Sequence, residues 1–390
     1  MKRELARLIT GQIFLHACMA GMRMATPLLA LKQGYSAMAV GALLALFALT
    51  QLFLALPAGR FADRKGLKLP LFMSVGIAVT GASLAALWPI FPVLCLSALT
   101  TGGATGMAVI ALQRHVGRLA TGPAELKLAF SWLSIGPAIS NFLGPVLAGL
   151  MIDFAGPERA HGTGFRVAFL LMALLPLCTL WSVRKVREKV SPQQTSAQGP
   201  RRVLDLLRQP LMLRLLSVNW LLSSCWDVHT FVVPLLGHER GLSASVVGTI
   251  LGAFAVAAAI IRVCLPWVSR HLHEYQIITI SMVCTAVLFG VYPFMPTPWA
   301  MGACSVLLGV VLGAVQPMIM STLHQITPAH RQGEALGLRL MSINASSVLM
   351  PMLFGAAGAI AGVAPVFWVV GSAVGLGARS ALKLRPSRHK

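Results

Sequence analysis

The chain has 390 residues, of which 56% are hydrophobic and 11% charged, and its formal net charge is +21 at pH 7. This composition excludes a soluble globular domain, which needs a charged shell around its core. Because apolar stretches of about 20 residues match a bilayer core about 30 Å thick, the chain is predicted to be a membrane protein.

Twelve apolar segments follow one another along the chain, with little sequence left between them. Lipid offers no hydrogen-bond partner to an exposed backbone, and the period-2 alternation of a barrel strand is absent, so each segment is predicted to be a helix. The predicted fold class is therefore an all-α polytopic membrane protein. The twelve predicted spans are residues 8–30, 37–57, 69–88, 92–113, 125–152, 165–183, 211–236, 243–267, 275–295, 297–320, 331–359 and 363–382.

The positive charge is concentrated on one side of the predicted bundle. If the first terminus is cytoplasmic, the cytoplasmic segments 2–7, 60–68, 184–208 and 383–390 carry most of the Lys and Arg residues. This asymmetry follows the positive-inside rule and predicts a multi-pass protein of a bacterial-type inner membrane with both termini in the cytoplasm. We therefore interpret the charge as topology and contact with anionic lipid headgroups, and not as nucleic-acid binding.

The largest break in hydropathy lies at residues 184–210, where Ser, Pro, Gln and Gly stand between basic clusters. Such a composition is typical of a flexible linker. We expect an N-terminal six-helix bundle over residues 1–183, a cytoplasmic linker over 184–210, and a C-terminal six-helix bundle over 211–390.

The two predicted bundles are related in sequence. Sliding the chain along itself by 207 residues places Pro27-Leu28-Leu29 on Pro234-Leu235-Leu236, and Gly102 and Gly106 on Gly309 and Gly313. For span five a shift of 206 residues places Pro145 and Gly149 on Pro351 and Gly355. This self-similarity predicts an internal duplication. An even number of spans gives the copies the same orientation, and such folds bind substrate near the midplane between the halves.

A specific motif lies between spans two and three, with the sequence Gly59-Arg60-Phe61-Ala62-Asp63-Arg64-Lys65-Gly66-Leu67-Lys68. It resembles the signature loop of the major facilitator superfamily, G-x-x-x-D-R-x-G-x-K/R, at the position where the family has it. The resemblance implies a transporter whose cytoplasmic side is latched and released through a gating loop containing Gly59, Asp63, Arg64, Gly66 and Lys68. Arg262, near the cytoplasmic end of span eight, is a further gating candidate, and snorkelling to the interface is the alternative.

Three further segments bear on this resemblance. Residues 141–149, with Gly144, Pro145 and Gly149, resemble the span-five motif of antiporters and drug exporters, while a purely structural proline kink is the alternative. Residues 331–337 resemble the opening of span eleven in the family. The intramembrane arginine of the family's span-four motif is missing from residues 98–102, so any proton coupling does not use it.

Ionisable residues inside the predicted spans are costly to bury and indicate function. Asp227 is the one carboxylate predicted deep in the membrane, and the repeat aligns it with Ala20, one turn from Arg23. Because spans one and seven face each other in the family, Arg23 and Asp227 are predicted to pair. The candidates for proton coupling are Asp227, Arg23, His16 and His229. The alternatives are a static ion pair and, for each histidine, a hydrogen-bonded helix contact.

Polar side chains in the spans also predict a substrate cavity of positive potential, which favours an organic anion or a zwitterion over a lipophilic cation. The cavity candidates are Arg23, Asn141, Asp227, Gln316, Arg339 and Asn344.

Together these features predict a proton-coupled exporter, an antiporter of a small organic or drug-like amphipathic molecule. The alternatives are a proton-coupled importer of an organic anion, and a non-transporting receptor or assembly factor on the same scaffold. The sequence holds no phosphate-binding glycine loop, metal constellation or paired carboxylates, so we expect no enzyme, cofactor or metal. The expected partners are a small-molecule substrate, protons and anionic lipid headgroups, and the expected state is a monomer.

Overall fold

The computed structural model describes residues 2–119, 132–133, 135–155, 163–186, 203–268, 272–327 and 332–384. Within these residues the protein forms twelve long helices. The helices are α1 (Lys2–Lys32), α2 (Ala37–Lys65), α3 (Lys68–Leu87), α4 (Phe91–Leu119), α5 (Ile135–Phe154), α6 (Thr163–Val183), α7 (Pro210–Glu239), α8 (Ala244–Val268), α9 (Glu274–Val291), α10 (Pro298–Ile326), α11 (Gln332–Ala361) and α12 (Ala364–Leu382). Short 3₁₀ helices precede α7 (Val203–Arg208) and follow α9 (Tyr292–Phe294).

Eleven of these helices in the described ranges are long and apolar enough to cross a bilayer. The exception is α7, whose hydropathy is lowered by Asn219, Asp227 and His229. Most side chains of α7 are buried by other helices, so this helix does not have to match the lipid. The all-α polytopic fold predicted from the sequence is confirmed.

The outer surface of the bundle is apolar. Large hydrophobic side chains are exposed on helices from both halves, among them Phe53, Leu174, Val263, Val287 and Leu376. In water, a protein with such an apolar surface would aggregate, whereas lipid tails solvate this surface. The protein is therefore a multi-pass membrane protein.

The alternation of the helices gives the bundle two different ends. The end where α1 begins and α12 finishes is here called the terminus end. The opposite end carries short connections, including residues 33–36, 88–90, 240–243 and 362–363, and is here called the short-loop end. Glycines at φ 85° and φ 67°, Gly34 and Gly241, form two of these turns, in a backbone conformation that other residues rarely adopt.

The helix packing repeats after six helices. In the first half α1 packs on α5 and α6, α2 packs on α4, and α3 packs on α4 and α6. In the second half α7 packs on α11 and α12, α8 packs on α10, and α9 packs on α10 and α12. Between the halves, α5 packs on α8, α2 on α11 and α1 on α7.

Atomic contacts repeat at the spacing found in the sequence. A Cβ atom added to Gly102 would collide with the carbonyl oxygen of Phe47, and one added to Gly309 would collide with that of Phe254. The two contacts are related by the shift of 207 residues, so the same small-residue contact joins α2 to α4 and α8 to α10. This supports an internal duplication. The bundle boundaries stay a prediction, because most of the predicted linker, residues 187–202, lies outside the described residues.

Candidate substrate and proton site

The centre of the site is a carboxylate shared between the two halves. Asp227 of α7 is 3% exposed, and its Oδ1 lies 3.4 Å from Nη2 of Arg23 on α1. On α11, Ser346 donates to Oδ2 at 3.1 Å, and Ser347 lies 3.2 Å from Oδ1. The ion pair predicted from the repeat is therefore present, and it bridges the halves because α1 and α7 face each other at the interface.

The two serines were missed by the sequence analysis. The signal for them is the run Ser342-Ile343-Asn344-Ala345-Ser346-Ser347, which is unusually polar for a membrane helix. Ser346 also lies 3.2 Å from Ser224 Oγ, one turn before Asp227 on α7. These contacts fix α11 against α7 around a carboxylate that has little access to water.

Arg339 of α11 has a different environment from Arg23. It is 8% exposed and donates to the side-chain oxygen of Gln316 on α10. Its Nε atom has no hydrogen-bond partner, and neither of the two ion pairs found among the described side chains involves it. Arg339 precedes Ser346 by about two helical turns, which places it about 10 Å from the Asp227 site along the axis. Its charge is therefore buried against a neutral amide.

The two histidines predicted as proton-coupling candidates lie in different surroundings. His229 is 0% exposed, and its Nε2 lies 2.9 Å from Ser305 Oγ, which in turn lies 2.8 Å from the Tyr292 hydroxyl. Its ring stacks on Phe254 at 4.1 Å, so it is enclosed within the second half and away from the interface. His16 lies about two turns before Arg23 on α1, and its Nδ1 has no partner among the described residues.

The remaining cavity candidates form none of the hydrogen bonds described for Asp227. Asn141 on α5 and Asn344 on α11 are both half-buried, as is Gln316 on α10. The structure thus brings together Arg23 with Asp227, and Gln316 with Arg339. No hydrogen bond or ion pair among the described residues joins these two pairs.

The two halves meet closely at the short-loop end. A Cβ on Gly149 of α5 would lie 2.5 Å from the Ala244 carbonyl oxygen of α8, and one on Gly355 of α11 would lie 2.6 Å from the Ala37 carbonyl oxygen of α2. These contacts correspond to each other in the repeat, and only glycine allows the helices to approach so closely. They close the interface at this end.

A charged contact strengthens one of these closures. Asp153, at the end of α5, accepts the backbone N–H groups of Ala244 at 3.1 Å and Ser245 at 2.6 Å. These residues begin α8, where the helix dipole and its free N–H groups favour an anion. Asp153 therefore holds α5 and α8 together across the interface, and the sequence analysis did not identify it.

The span-five motif lies at this junction. A Cβ on Gly144 would lie 2.7 Å from the Gly21 nitrogen of α1, and Gly248 of α8 packs on the carbonyl group of Pro145. With Gly149, these residues allow α5 to contact both α1 and α8. The motif therefore has a packing function between the halves beyond any kink at Pro145.

The predicted gating loop is described only in part. Gly66 ends α2 with φ 77°, and its N–H donates to the Ala62 carbonyl oxygen at 3.0 Å, which forms a tight turn. The side chains of Asp63 and Arg64 and the surroundings of Gly59 lie outside the described part of the structure, and Lys68 begins α3. Arg262 is half-buried and donates from Nε to the Gly313 carbonyl oxygen at 3.3 Å, which links α8 to α10.

Comparison with known proteins identifies the family whose sequence profile matches this chain. The profile of the Major Facilitator Superfamily matches residues 8–323 and 276–390. Among similar curated proteins, the multidrug resistance protein MdtG of Escherichia fergusonii is 26% identical over 350 residues, which cover 84% of this chain and 80% of that protein. MdtG of Klebsiella pneumoniae is 26% identical over 364 residues, which cover 88% of this chain and 85% of that protein.

Solved structures share the fold at much lower identity. The nucleoside transporter NupG superposes with a TM-score of 0.74 and 15% identity over 100% of both chains. A POT family transporter in complex with a thioalcohol-conjugated peptide superposes with a TM-score of 0.79 and 12% identity, over 98% of this chain and 96% of that chain. At such identities the likeness shows the arrangement of helices alone.

Proposed function

Because the chain belongs to the Major Facilitator Superfamily and is a transporter rather than an enzyme, we propose that it is a proton-coupled exporter of small amphipathic organic molecules. The substrate would bind between the two halves, and rocking of one half against the other would expose it to each side in turn. The similarity to multidrug resistance proteins supports export.

The observation that carries the proposal is the ion pair between Arg23 and Asp227, which bridges the halves near the middle of the bundle. Protonation of Asp227 would remove one of the two charges and weaken the bridge between α1 and α7. A group whose protonation state changes the contact between two rigid bodies can shift their equilibrium. Asp227 would therefore carry the coupling proton, and the strength of its ion pair with Arg23 would depend on that proton.

The proposed topology identifies the end of the bundle that export would have to open. The terminus end carries most of the described cations, including Arg7, Arg184 and Arg214, and the positive-inside rule assigns such an end to the cytoplasm. The closed short-loop end would then face the exterior. An exporter must open this end to release its substrate, which requires the contacts of Gly149, Gly355 and Asp153 to separate.

Replacement of Asp227 by Asn tests the role of the carboxylate. We expect Asp227→Asn to abolish accumulation driven by a pH gradient in proteoliposomes, because Asn cannot exchange a proton. Exchange of labelled for unlabelled substrate should persist, because it needs no proton. A panel of amphipathic carboxylates, amides and amines is first tested on the wild type. The compounds that the wild type transports then serve as substrates for the variants.

The matched control is Glu239→Gln, which removes an exposed carboxylate at the end of the same helix and should leave both activities unchanged. Full gradient-driven accumulation by Asp227→Asn would contradict the proposal. Loss of exchange together with accumulation, at unchanged protein yield, would favour a static structural ion pair instead.

The environment of Arg339 favours a second candidate function, proton-coupled import of an organic anion. Its charge faces the neutral Gln316 and has no described carboxylate as a partner, so the site can accept an anion. An anion about 10 Å from Asp227 would favour the protonated carboxyl by about 1.7 kcal/mol at an effective dielectric constant of about 20, so proton and anion would bind together.

The two candidates predict opposite proton movements on substrate binding. Antiport requires that substrate and proton exclude each other, so binding should release a proton from the purified transporter. Symport should instead give proton uptake. A pH-indicator dye in weakly buffered solution measures the sign, and Asp227→Asn should abolish the signal in either case.

A further inference from the structure

A groove between α1 and α6 at the terminus end is separate from the site between the halves. Its lining includes Arg7 and Thr10 from α1, and Trp181, Arg184 and Lys185 from the end of α6 and the turn that follows. Below the groove the two helices pack closely, since Thr179 Oγ1 donates to the Gly11 carbonyl oxygen at 2.9 Å. The groove is therefore a shallow recess with a fixed floor.

The charges of this groove are not neutralised by described residues. Arg7, Arg184 and Lys185 are all exposed, and none forms one of the ion pairs of the described chain. Glu4, three residues before Arg7, lies 3.4 Å from His115 Nε2 on α4. Glu188, three residues after Lys185, lies outside the described residues. Three cations thus surround a recess that contains no described counter-ion. Such a recess attracts an anion.

An apolar stripe leads from the groove along the outer face of α6. Trp181 is 68% exposed, and its ring lies 5.4 Å from the Arg184 guanidinium carbon. Leu170, Leu174 and Leu177 are also exposed and lie on the same face as Trp181, at helical spacing. From Leu170 to Trp181 the stripe is about 16 Å long, which is about half the thickness of a bilayer core.

We propose that this groove binds an anionic phospholipid, with the phosphate between Arg7, Arg184 and Lys185 and an acyl chain along the stripe. Trp181 lies where the two parts of the lipid meet, at the depth where tryptophan rings prefer to lie. A phospholipid offers both a charged headgroup for the three cations and an apolar chain for the stripe. A soluble phosphate has the charge but no apolar chain.

The test compares lipids that differ only in headgroup charge. Native mass spectrometry of the purified full-length protein would measure binding of phosphatidylglycerol and phosphatidylcholine with identical acyl chains. We expect the wild type to prefer phosphatidylglycerol by at least about tenfold, because each cation near a headgroup contributes about a fivefold change in affinity. Glycerol phosphate should not compete at equal concentration.

The variant Arg7→Gln/Arg184→Gln/Lys185→Gln should lose this preference. The control Arg214→Gln/Arg379→Gln/Lys383→Gln removes three exposed cations at the same end of the second half and should keep it. Equal binding of both lipids to the wild type, equal loss in both variants, or competition by glycerol phosphate would overturn the proposal. All chosen side chains are exposed, so both variants should fold.

A second measurement does not alter the charges. Phosphatidylglycerol with brominated acyl chains should quench tryptophan fluorescence of the wild type more strongly than brominated phosphatidylcholine. This extra quenching should disappear in Trp181→Phe, because Trp181 borders the groove. Persistence of the extra quenching in that variant would show that the anionic lipid binds elsewhere.

Discussion

At the scale of single residues, the central site consists of one charge from each half and two hydroxyl groups of α11. The sequence analysis identified Arg23 and Asp227 because charges are rare in membrane helices and because the repeat brings their helices together. Ser346 and Ser347 were missed because the rotation of α11 about its axis cannot be derived from a helix that is apolar on most sides.

The repeat also shows that the central carboxylate has no counterpart in the first half. Ser346 corresponds to Ser140 of α5, whose hydroxyl donates to the Ile13 carbonyl oxygen of α1 at 3.0 Å. The position corresponding to Asp227 is Ala20. Equivalent serines thus bind a backbone oxygen in the first half and a carboxylate in the second, so the duplicated scaffold carries an asymmetric site.

Arg339 gives a prediction about ligand charge. We expect Arg339→Gln to lower the affinity for carboxylate probes at least about tenfold and to leave the affinity for the matched amides unchanged. The physical reason is that a buried guanidinium without a counter-ion is stabilised by an anionic ligand. Isothermal titration of the purified protein measures both affinities.

Arg339→Lys retains the charge and should recover part of the carboxylate affinity, although it lacks the planar group that binds a carboxylate through two nitrogens. If Arg339→Gln lowers the affinity for carboxylates and for amides equally, the residue stabilises the protein structure and does not select ligand charge.

At the scale of helices, the sequence predicted the spans well because a bilayer requires long apolar segments. It did not predict which helices the glycines of α5 contact. A glycine and a proline in a membrane helix fit both a kink and a close contact. The structure shows close contacts for Gly144 and Gly149, with α1 and α8 respectively.

The contact of Gly149 predicts a conformational effect. Gly149→Leu would place a side chain against the Ala244 carbonyl group of α8, so the short-loop end could not close. We expect transport to be lost and a cysteine introduced at Ser245, on α8, to become more reactive towards a water-soluble maleimide. The second effect follows because the variant favours the state in which this end is open.

Gly76→Leu is the control for this substitution. Gly76 lies on an exposed face of α3, and a Cβ there would meet no atom within 4 Å. This variant should transport normally and leave the reactivity at position 245 unchanged. Unchanged reactivity in Gly149→Leu would mean that the contact does not control closure of the short-loop end.

At the scale of the whole molecule, the shifts of 207 and 206 residues in the sequence predicted the relation between the halves, and the glycine contacts follow them. The contact of Asp153 with the start of α8 could not be predicted in this way. Its counterpart in the repeat is Ala359, so self-similarity gives no signal for it. The contacts between the halves are therefore partly repeated by the symmetry and partly formed by single residues without a counterpart.

The central claim is that the charge of Asp227 sets the position of one half relative to the other. Spin labels at Lys32 and His238 would report the distance between α1 and α7 at the short-loop end. Labels at Arg3 and Arg214 would report the same distance at the terminus end, and all four side chains are exposed. The labels require a background without the seven native cysteines. Double electron–electron resonance measures both distances as a function of pH.

We expect acidification of the wild type to lengthen the Lys32–His238 distance and to shorten the Arg3–Arg214 distance, because protonation weakens the ion pair that is present in the closed state. In Asp227→Asn both distances should match those of the acidified wild type at every pH. Distances that do not change with pH in the wild type, or that change equally in Asp227→Asn, would contradict the account.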